Sequence, residues 1–512
     1  MGSETDSGTS RLRVCLTQSV PSRVPDSVVR VQSPPRLPRA AVAPCLLAIS
    51  RSGLCRVKAF QVGLSIWTVE AVPWVGVVGL RARNTGGMGK AEKFSPVRFN
   101  AVTPDSPEVA GTGGVRPGRR RSVVWRVLAV PVAAAIALGA VGGAASAAPS
   151  KGEAESLKSR AQGLVEAGYP AALAAVSDSK GESAGVAVGK GNLETGQAPP
   201  MDGEVRVGSA SKTFVAVVVM QMVQEGKVGL DEPIETYLPG LIRGEGIDGS
   251  KITVRQLLQH TSGLPEYTDT YLSSRAAESE NMQHYVPPRD LLDTALGKPA
   301  AFEPGTQWKY TNTNYIVLGM LIERVSQRPV GEQIDERIVK KLGLSHTYLP
   351  GNGEKKLHGP HPQSYHLSAE GKLEDMTDLD TSLAWAAGGM VSTPSELNTF
   401  FQAVLDGRLL TQASIDEMKN GAVDASSHLG SGTVYGLGLI GTSLSCGGTA
   451  WGHHGGIPGY ETHDGVGPDG TALTVTVTAS SLDIADQSNP ENSAKEKAGK
   501  IAEAVDISLC HK

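Results

Sequence analysis

The chain has 512 residues, 40% of them apolar and 5% aromatic, with 61 Gly, 31 Pro, five Cys and a formal net charge of −4. This composition excludes a collagen-like chain, a wholly disordered one and a disulfide-dense scaffold, and leaves room for two or three ordinary domains or one large domain with appendages. The small net charge hides a division: residues 1–126 carry +12, residues 127–150 carry no charge, and residues 151–512 carry −16.

Residues 1–115 are rich in Arg and Pro without amphipathic periodicity, and their apolar run from Phe60 to Leu80 is interrupted by Glu70 and Pro73. They read as a disordered or mis-assigned N-terminal extension, with the true start at Met88 or later. Residues 116–147 have the parts of a secretory signal peptide: a basic run (Arg116, Arg119, Arg120, Arg121, Arg126), an uncharged Ala/Val/Leu stretch from Val127 to Ala144, and the small-residue site Ala145-Ser146-Ala147. Cleavage is expected after Ala147. A retained membrane anchor is the alternative, weakened by Pro131 and several glycines. Arg120-Arg121 fits a twin-arginine route as well as the Sec route. The mature protein is therefore expected outside the cell as residues 148–512, one domain with a sizeable core. Its acidity argues against nucleic acid as a partner.

Along that domain, Glu153–Ala167 reads as a helix. Pro170–Val176 and Ser183–Val188 read as strands around the turn Asp178-Ser179-Lys180-Gly181. Ser211–Glu225 reads as an apolar helix ended by Gly226, and Val254–Gln259, Asn312–Gln327 and Val330–Leu342 as further helices. Thr393-Pro394-Ser395-Glu396 has the form of a capping box opening a helix to about Leu405. Val434–Leu439, Thr449–Gly452, Tyr460–Gly465 and Thr471–Thr478 read as strands, and Ser493–Ser508 as a last helix. Helix, two strands, a long helical insert, several strands and a helix make an α+β fold: an antiparallel sheet built from both ends of the mature chain and flanked by helices, plus an all-helical lobe.

Three segments carry chemistry. In Ser209-Ala210-Ser211-Lys212 a helix opening at Ser209 places Lys212 one turn on, on the same face. A serine hydroxyl needs an adjacent base to attack a carbonyl, and a lysine desolvated against Phe214-Val215-Ala216-Val217-Val218 can serve. Ser-x-x-Lys recurs at Ser177–Lys180, in a hairpin turn with no helix after it. Gly181-Glu182-Ser183-Ala184-Gly185 matches Gly-x-Ser-x-Gly but leads into a strand, not the helix that motif requires. Tyr310-Thr311-Asn312 offers a phenol to move protons and an amide for a substrate carbonyl, although Asn312 is also a natural N-cap. His453-His454-Gly455-Gly456 follows a strand; a histidine there can assist proton transfer, and the glycines admit a substrate backbone. His358 and His361, or His453, His454, His463 and Asp464, match no known zinc spacing, so no metal is expected.

In this order, Ser209-x-x-Lys212, Tyr310-x-Asn312 and His453-x-Gly455 resemble the serine hydrolases of the penicillin-binding and class C β-lactamase family. The nearest type is the secreted D-alanyl-D-alanine carboxypeptidases with a His-Thr-Gly third motif. His260-Thr261-Ser262-Gly263-Leu264, Trp385 before Gly388-Gly389, and Tyr435-Gly436-Leu437-Gly438-Leu439 extend the resemblance over about residues 155–510. It implies that Ser209 is acylated, Lys212 and Tyr310 exchange the protons, Asn312 binds the substrate amide, and His453 completes the third motif. It also implies that the N–H groups of Ser209 and Gly456 form an oxyanion hole, with Trp385, His454 and Gly455 lining the substrate. Two departures bear on specificity. Those carboxypeptidases hold the substrate carboxylate with the motif's Thr and an Arg on the preceding strand, positions taken here by His454 and Ile440.

The mature chain keeps Cys446 and Cys510; export favours a disulfide stapling the last helix to the sheet, with two buried thiols as the alternative. The expectation is a monomeric, cofactor-free acyl-serine hydrolase. D-Ala-D-Ala carboxypeptidase activity on peptidoglycan-type peptides is the first choice, with β-lactams as inhibitors or substrates. An esterase, D-amino-acid amidase or β-lactamase, or a slow-turnover penicillin- or peptidoglycan-binding module, are the alternatives.

Overall fold

The computed structural model describes residues 151–510 and, before them, the backbone of five strands. Contacts divide the chain into two units, residues 1–135 and 136–512. In the first, Ser27–Arg30 pairs with Leu46–Ile49, and Phe60–Val62, Ser65–Trp74 and Val77–Asn84 form a three-stranded antiparallel sheet. The signal peptide expected at 116–147, its cleavage site, and Cys15, Cys45 and Cys55 lie outside the described residues. Among the described residues no helix is long and apolar enough to cross a membrane.

The second unit is built on one antiparallel sheet. Its strands are β1 (Ala171–Ser177), β2 (Ser183–Gly189), β3 (Val423–Asp424), β4 (Thr433–Tyr435), β5 (Ile440–Ser443), β6 (Thr449–Gly452), β7 (His454–Ile457), β8 (Tyr460–Val466) and β9 (Ala472–Val477). Their order is β3-β4-β5-β6-β8-β9-β1-β2, with β7 beside β8. The N-terminal hairpin thus joins the C-terminal strands through β1–β9, where Ala172 pairs with Val477.

The five longest helices among the described residues are α1 (Lys151–Glu166), α2 (Ser211–Gln224), α3 (Thr313–Ser326), α4 (Pro394–Leu405) and α5 (Pro490–Cys510), of which α1, α4 and α5 pack on the sheet. Helices α1 and α5 cover one face, where Leu157, Leu164, Ile501 and Leu509 pack on Ala172, Ala174, Leu473 and Val475. On the other face α4 is fixed by Asn398, whose amide donates to Ala175 O (2.8 Å) and accepts from Thr474 Oγ1 (2.8 Å). Helix α2 is apolar all round and buried from Ser211 to Met222, as a central helix must be. Its Phe214 stacks on Phe400 of α4 with centroids 3.6 Å apart. The insert between β2 and β3 also holds short helices at Val254–Leu258, Arg275–Asn281 and Pro288–Leu296. It contains small two-stranded ladders too, such as Arg243–Gly244 with Ile247–Asp248, so it is mostly rather than wholly helical.

Three expectations are corrected. Val434–Leu439 is not one strand. After Tyr435 the chain turns, with Gly436 N bonded to Leu439 O (2.8 Å) and Gly438 at φ +77°, before β5 begins at Ile440. The tight turn lies where a Cβ on Gly438 would stand 2.4 Å from that of Ala216, so the glycines serve close packing on α2 rather than an extended ladder. Val330–Leu342 is helical but passes through a π-helical stretch at Asp335–Val339. The capping box is half used. Thr393 accepts from Glu396 N (3.3 Å), but the Glu396 carboxylate turns away to Ser345 N (2.6 Å) and Thr347 Oγ1 (2.6 Å).

Candidate active site

Ser209 lies in a single 3-10 turn, Gly208–Ala210, that feeds α2. The turn is wedged against β7. A Cβ on Gly208 (φ +52°) would stand 2.6 Å from Gly456 O, and one on Gly455 would stand 1.9 Å from Val207 O. Only glycine permits this approach, and it sets the backbone of Ser209 beside that of Gly456, the two residues expected to form the oxyanion hole.

Lys212 is fully buried on the first turn of α2. Its Nζ lies 2.8 Å from Ser209 Oγ, 2.8 Å from Asn312 Oδ1 and 2.6 Å from Ala387 O. Burial lowers its pKa to about 7, against a smaller opposing pull from Glu266. A neutral amine has two N–H groups and one lone pair. Asn312 Oδ1 and Ala387 O can only accept, whereas the serine hydroxyl can also donate. The two carbonyls therefore take both protons and leave the lone pair aimed at Ser209 O–H, which is the geometry of a general base.

The orientation of Asn312 is set by a residue that carries no sequence motif. Glu266 Oε2 accepts from Asn312 N (2.7 Å) and Nδ2 (3.2 Å), which turns Oδ1 toward Lys212. Asn312 also stands at the N-terminus of α3, without a side-chain cap bond.

Tyr310 has its phenol next to the Ser209 hydroxyl, and its ring lies 4.8 Å from Lys212 Nζ. Burial pushes its pKa well above the usual phenol value, and the Ser209 hydroxyl opposes this only in part. Tyr310 is thus a proton donor where Lys212 is the acceptor.

His453 is buried, with its ring centroid 6.5 Å from that of Tyr310. Its Nδ1 donates to His454 O (2.7 Å), so Nε2 accepts from Tyr435 O–H (3.0 Å). Burial, the Lys212 charge adding to it, lowers its pKa to about 3. His453 is therefore a neutral wall of the site whose ring nitrogens are both engaged. Its partner Tyr435 opens the Tyr435–Leu439 segment.

The remaining expected site residues lie elsewhere. His454 pairs in register with His463 and stacks on its ring (4.5 Å), while His463 bonds Glu461 (3.1 Å). Strand alternation turns His454 away from the side that His453 faces. Trp385 has an unusual φ of +36° and enters the core, its ring lying against Gly319 of α3, where a Cβ would be 2.7 Å away. It supports the turn that carries Ala387 O. Ile440 packs with Tyr435 against Trp308 and Tyr310 as an apolar wall. Among the described residues no group of three or more His, Cys, Asp or Glu side chains is placed to hold a metal.

The antiparallel sheet with its central helix and the Ser-Lys-Tyr cluster define a serine hydrolase of the β-lactamase/transpeptidase fold. The β-lactamase family matches residues 157–497, and the chain belongs to that family. It is 27% identical over 269 residues to the penicillin-binding protein PbpX of Bacillus subtilis (strain 168), covering 52% of this chain and 60% of that protein. A second penicillin-binding protein of that strain is 27% identical over 270 residues, covering 50% of this chain and 56% of the other. The chain thus spans little more than half the length of these relatives. Among solved structures, a D-stereospecific amidohydrolase from Streptomyces sp. is 36% identical with a TM-score of 0.60, covering 69% of this chain and 98% of that one. A D-amino acid amidase from Ochrobactrum anthropi SV3, complexed with L-phenylalanine amide, is 26% identical with a TM-score of 0.59, covering 70% and 99%.

Proposed function

We propose that this protein is an acyl-serine amidohydrolase acting on amides and short peptides of D-amino acids, and that it works outside the cell. Lys212 takes the Ser209 proton as Oγ attacks the carbonyl carbon. Tyr310 delivers a proton to the leaving nitrogen, and water then releases the acyl group by the reverse relay. The observation that carries the reading is the substrate end of the site. Ile440, a buried apolar side chain, takes the position where a carboxypeptidase of this type has its arginine, and His454 is stacked on His463. A terminal carboxylate thus lacks the cation it needs, while the Glu266 carboxylate, tied into the site through Asn312, favours a substrate with a free ammonium group. The likeness to the Streptomyces amidohydrolase supports the same choice. Export is consistent with the signal-like segment at 116–147 and the Cys446–Cys510 disulfide.

The test compares turnover of D-phenylalanine amide, a D-alanyl-D-alanine tripeptide, p-nitrophenyl acetate and a chromogenic cephalosporin by the protein and by its Ser209→Ala variant. The amide is expected to be hydrolysed with the higher kcat/KM than the tripeptide, and the variant to be inactive. A tripeptide preferred over the amide returns the protein to the carboxypeptidases. Activity that survives Ser209→Ala overturns the mechanism.

A further inference from the structure

We propose that His260 is a positioning residue for Tyr310, holding the segment Lys309–Thr311 by its backbone, its ring nitrogen and its ring face at once. The proposal rests on Tyr310 acting as the proton relay described above. Lys309 N donates to His260 O (3.0 Å) and Thr311 N to His260 Nδ1 (3.3 Å), so the backbone N–H groups of the residues before and after Tyr310 are both tied to one residue. Between those ties the imidazole lies against the phenol ring, centroids 4.3 Å apart. His428 also stacks with Tyr310, its centroid 5.3 Å away and its plane tilted by 24°.

The ring of His260 is itself pinned. Asn314 Nδ2 lies 3.1 Å from Nδ1, and Asn314 Oδ1 accepts from Ser262 Oγ (2.6 Å), which fixes the amide's orientation. Because Nδ1 accepts from Thr311 and Asn314, the proton sits on Nε2, which is buried without a hydrogen-bond partner, in a ring packed against those of Tyr310, Tyr315 and Tyr435. His260 is wholly buried, and burial holds it well below the usual histidine range, with Lys212, His453 and His428 adding to the effect. Burial thus favours the neutral ring, whose Nδ1 lone pair serves these two donors.

The backbone makes the same point. His260 has φ +63°, a left-handed conformation uncommon outside glycine, though His, Asn and Asp adopt it more readily than other residues. Glycine would accept the angle but supply neither acceptor nor ring. Phenylalanine would supply a ring but leave Thr311 N and Asn314 Nδ2 buried without their acceptor. Asparagine accepts the angle and carries an oxygen near the place of Nδ1. Histidine alone among these combines all three properties, and a residue held in a costly conformation beside a catalytic group points to function.

The experiment measures kcat, KM and the pH profile on p-nitrophenyl acetate and D-phenylalanine amide for the protein and for His260→Phe, His260→Asn and Asn314→Ala. Tyr310 is followed independently of turnover by the fluorine resonance of 3-fluorotyrosine-labelled protein, assigned with Tyr310→Phe. His260→Phe is expected to lower kcat about 10- to 100-fold with KM little changed and the pH limb of Lys212 in place, and to shift or broaden the Tyr310 resonance. His260→Asn is expected to recover most of kcat, and Asn314→Ala to fall in the same direction by less. A folded His260→Phe protein with unchanged kcat and Tyr310 resonance overturns the proposal, as does a folded His260→Asn protein as impaired as the Phe variant. If His260→Phe does not fold, an Asn314→Ala protein with an unmoved Tyr310 resonance overturns it instead. A wild-type protein that never acylates Ser209 sinks the functional reading alone, and the fluorine spectra still decide the role of His260.

Discussion

At the scale of single residues, the division of labour between Lys212 and Tyr310 follows from burial acting on opposite charge types. Desolvation favours the neutral form of each, which frees a lone pair on the amine and keeps the proton on the phenol. With the Lys212 pKa lowered to about 7, the base is protonated and idle below that pH and free above it. Acylation of Ser209 should therefore rise with pH along a limb centred near 7, read from kcat/KM between about pH 5 and 9; a limb near the ordinary lysine value of ~10.4 would show that the amine is not desolvated. Lys212→Met should lower kcat by about 10²- to 10⁴-fold, as loss of a general base does. Ser209 and Lys212 were legible in the sequence because an apolar helix after Ser-x-x-Lys forces the lysine inward. Glu266 was not, since a lone acidic residue after a proline has no periodicity or spacing to mark it. Its role exists only because the chain brings it to the N-terminus of α3.

At the scale of elements, the site depends on two stretches of backbone that nearly touch, the Gly208–Ala210 turn and β7. Gly455→Ala must push them apart, because its Cβ would stand 1.9 Å from Val207 O. The expected result is a loss of about 10²-fold in kcat, with a lowered melting temperature, from displaced oxyanion donors. Gly456→Ala, where a Cβ meets nothing within 4 Å, should melt like the wild type. A Gly455→Ala protein with full activity would mean that the approach is not needed. Local pattern gave the longest elements to within a few residues, as with the helix read at 211–225 and found at Ser211–Gln224. It failed where glycines serve tertiary contact. The run from Val434 alternates like one strand, yet packing against Ala216 breaks it. Strand β7 was overlooked because His-Gly-Gly-Ile has little strand propensity and is held by its pairing with β8.

At the scale of the whole molecule, the Cys446–Cys510 disulfide ties the end of α5 to the loop before β6, closing 64 residues of chain. A loop of that length is worth about 4 kcal/mol in the chain-entropy model. The Cys446→Ser/Cys510→Ser variant, measured under non-reducing conditions, should melt roughly 5 °C lower while keeping its kcat at 25 °C. An unchanged melting temperature would show that packing of α5 on the sheet holds the end of the chain without the bond. The charge division seen in the sequence has its counterpart here, since the acidic segment from residue 151 contains all of the catalytic sheet and helices.

The pairing of β1 with β9 also sets a timetable. Residues 171–177 leave the ribosome well before their neighbour on one side, Ala472–Val477. Until it arrives, β1 has only its own hairpin, and β8, on which β7 leans, lacks the strand that joins it to the N-terminal half. Closure of so long a chain must precede the reward of its contacts, so the sheet should form slowly and only after residues 472–477 have been made. The nucleophile would then acquire its oxyanion donors late, and a half-made chain would carry Ser209 without the means to use it.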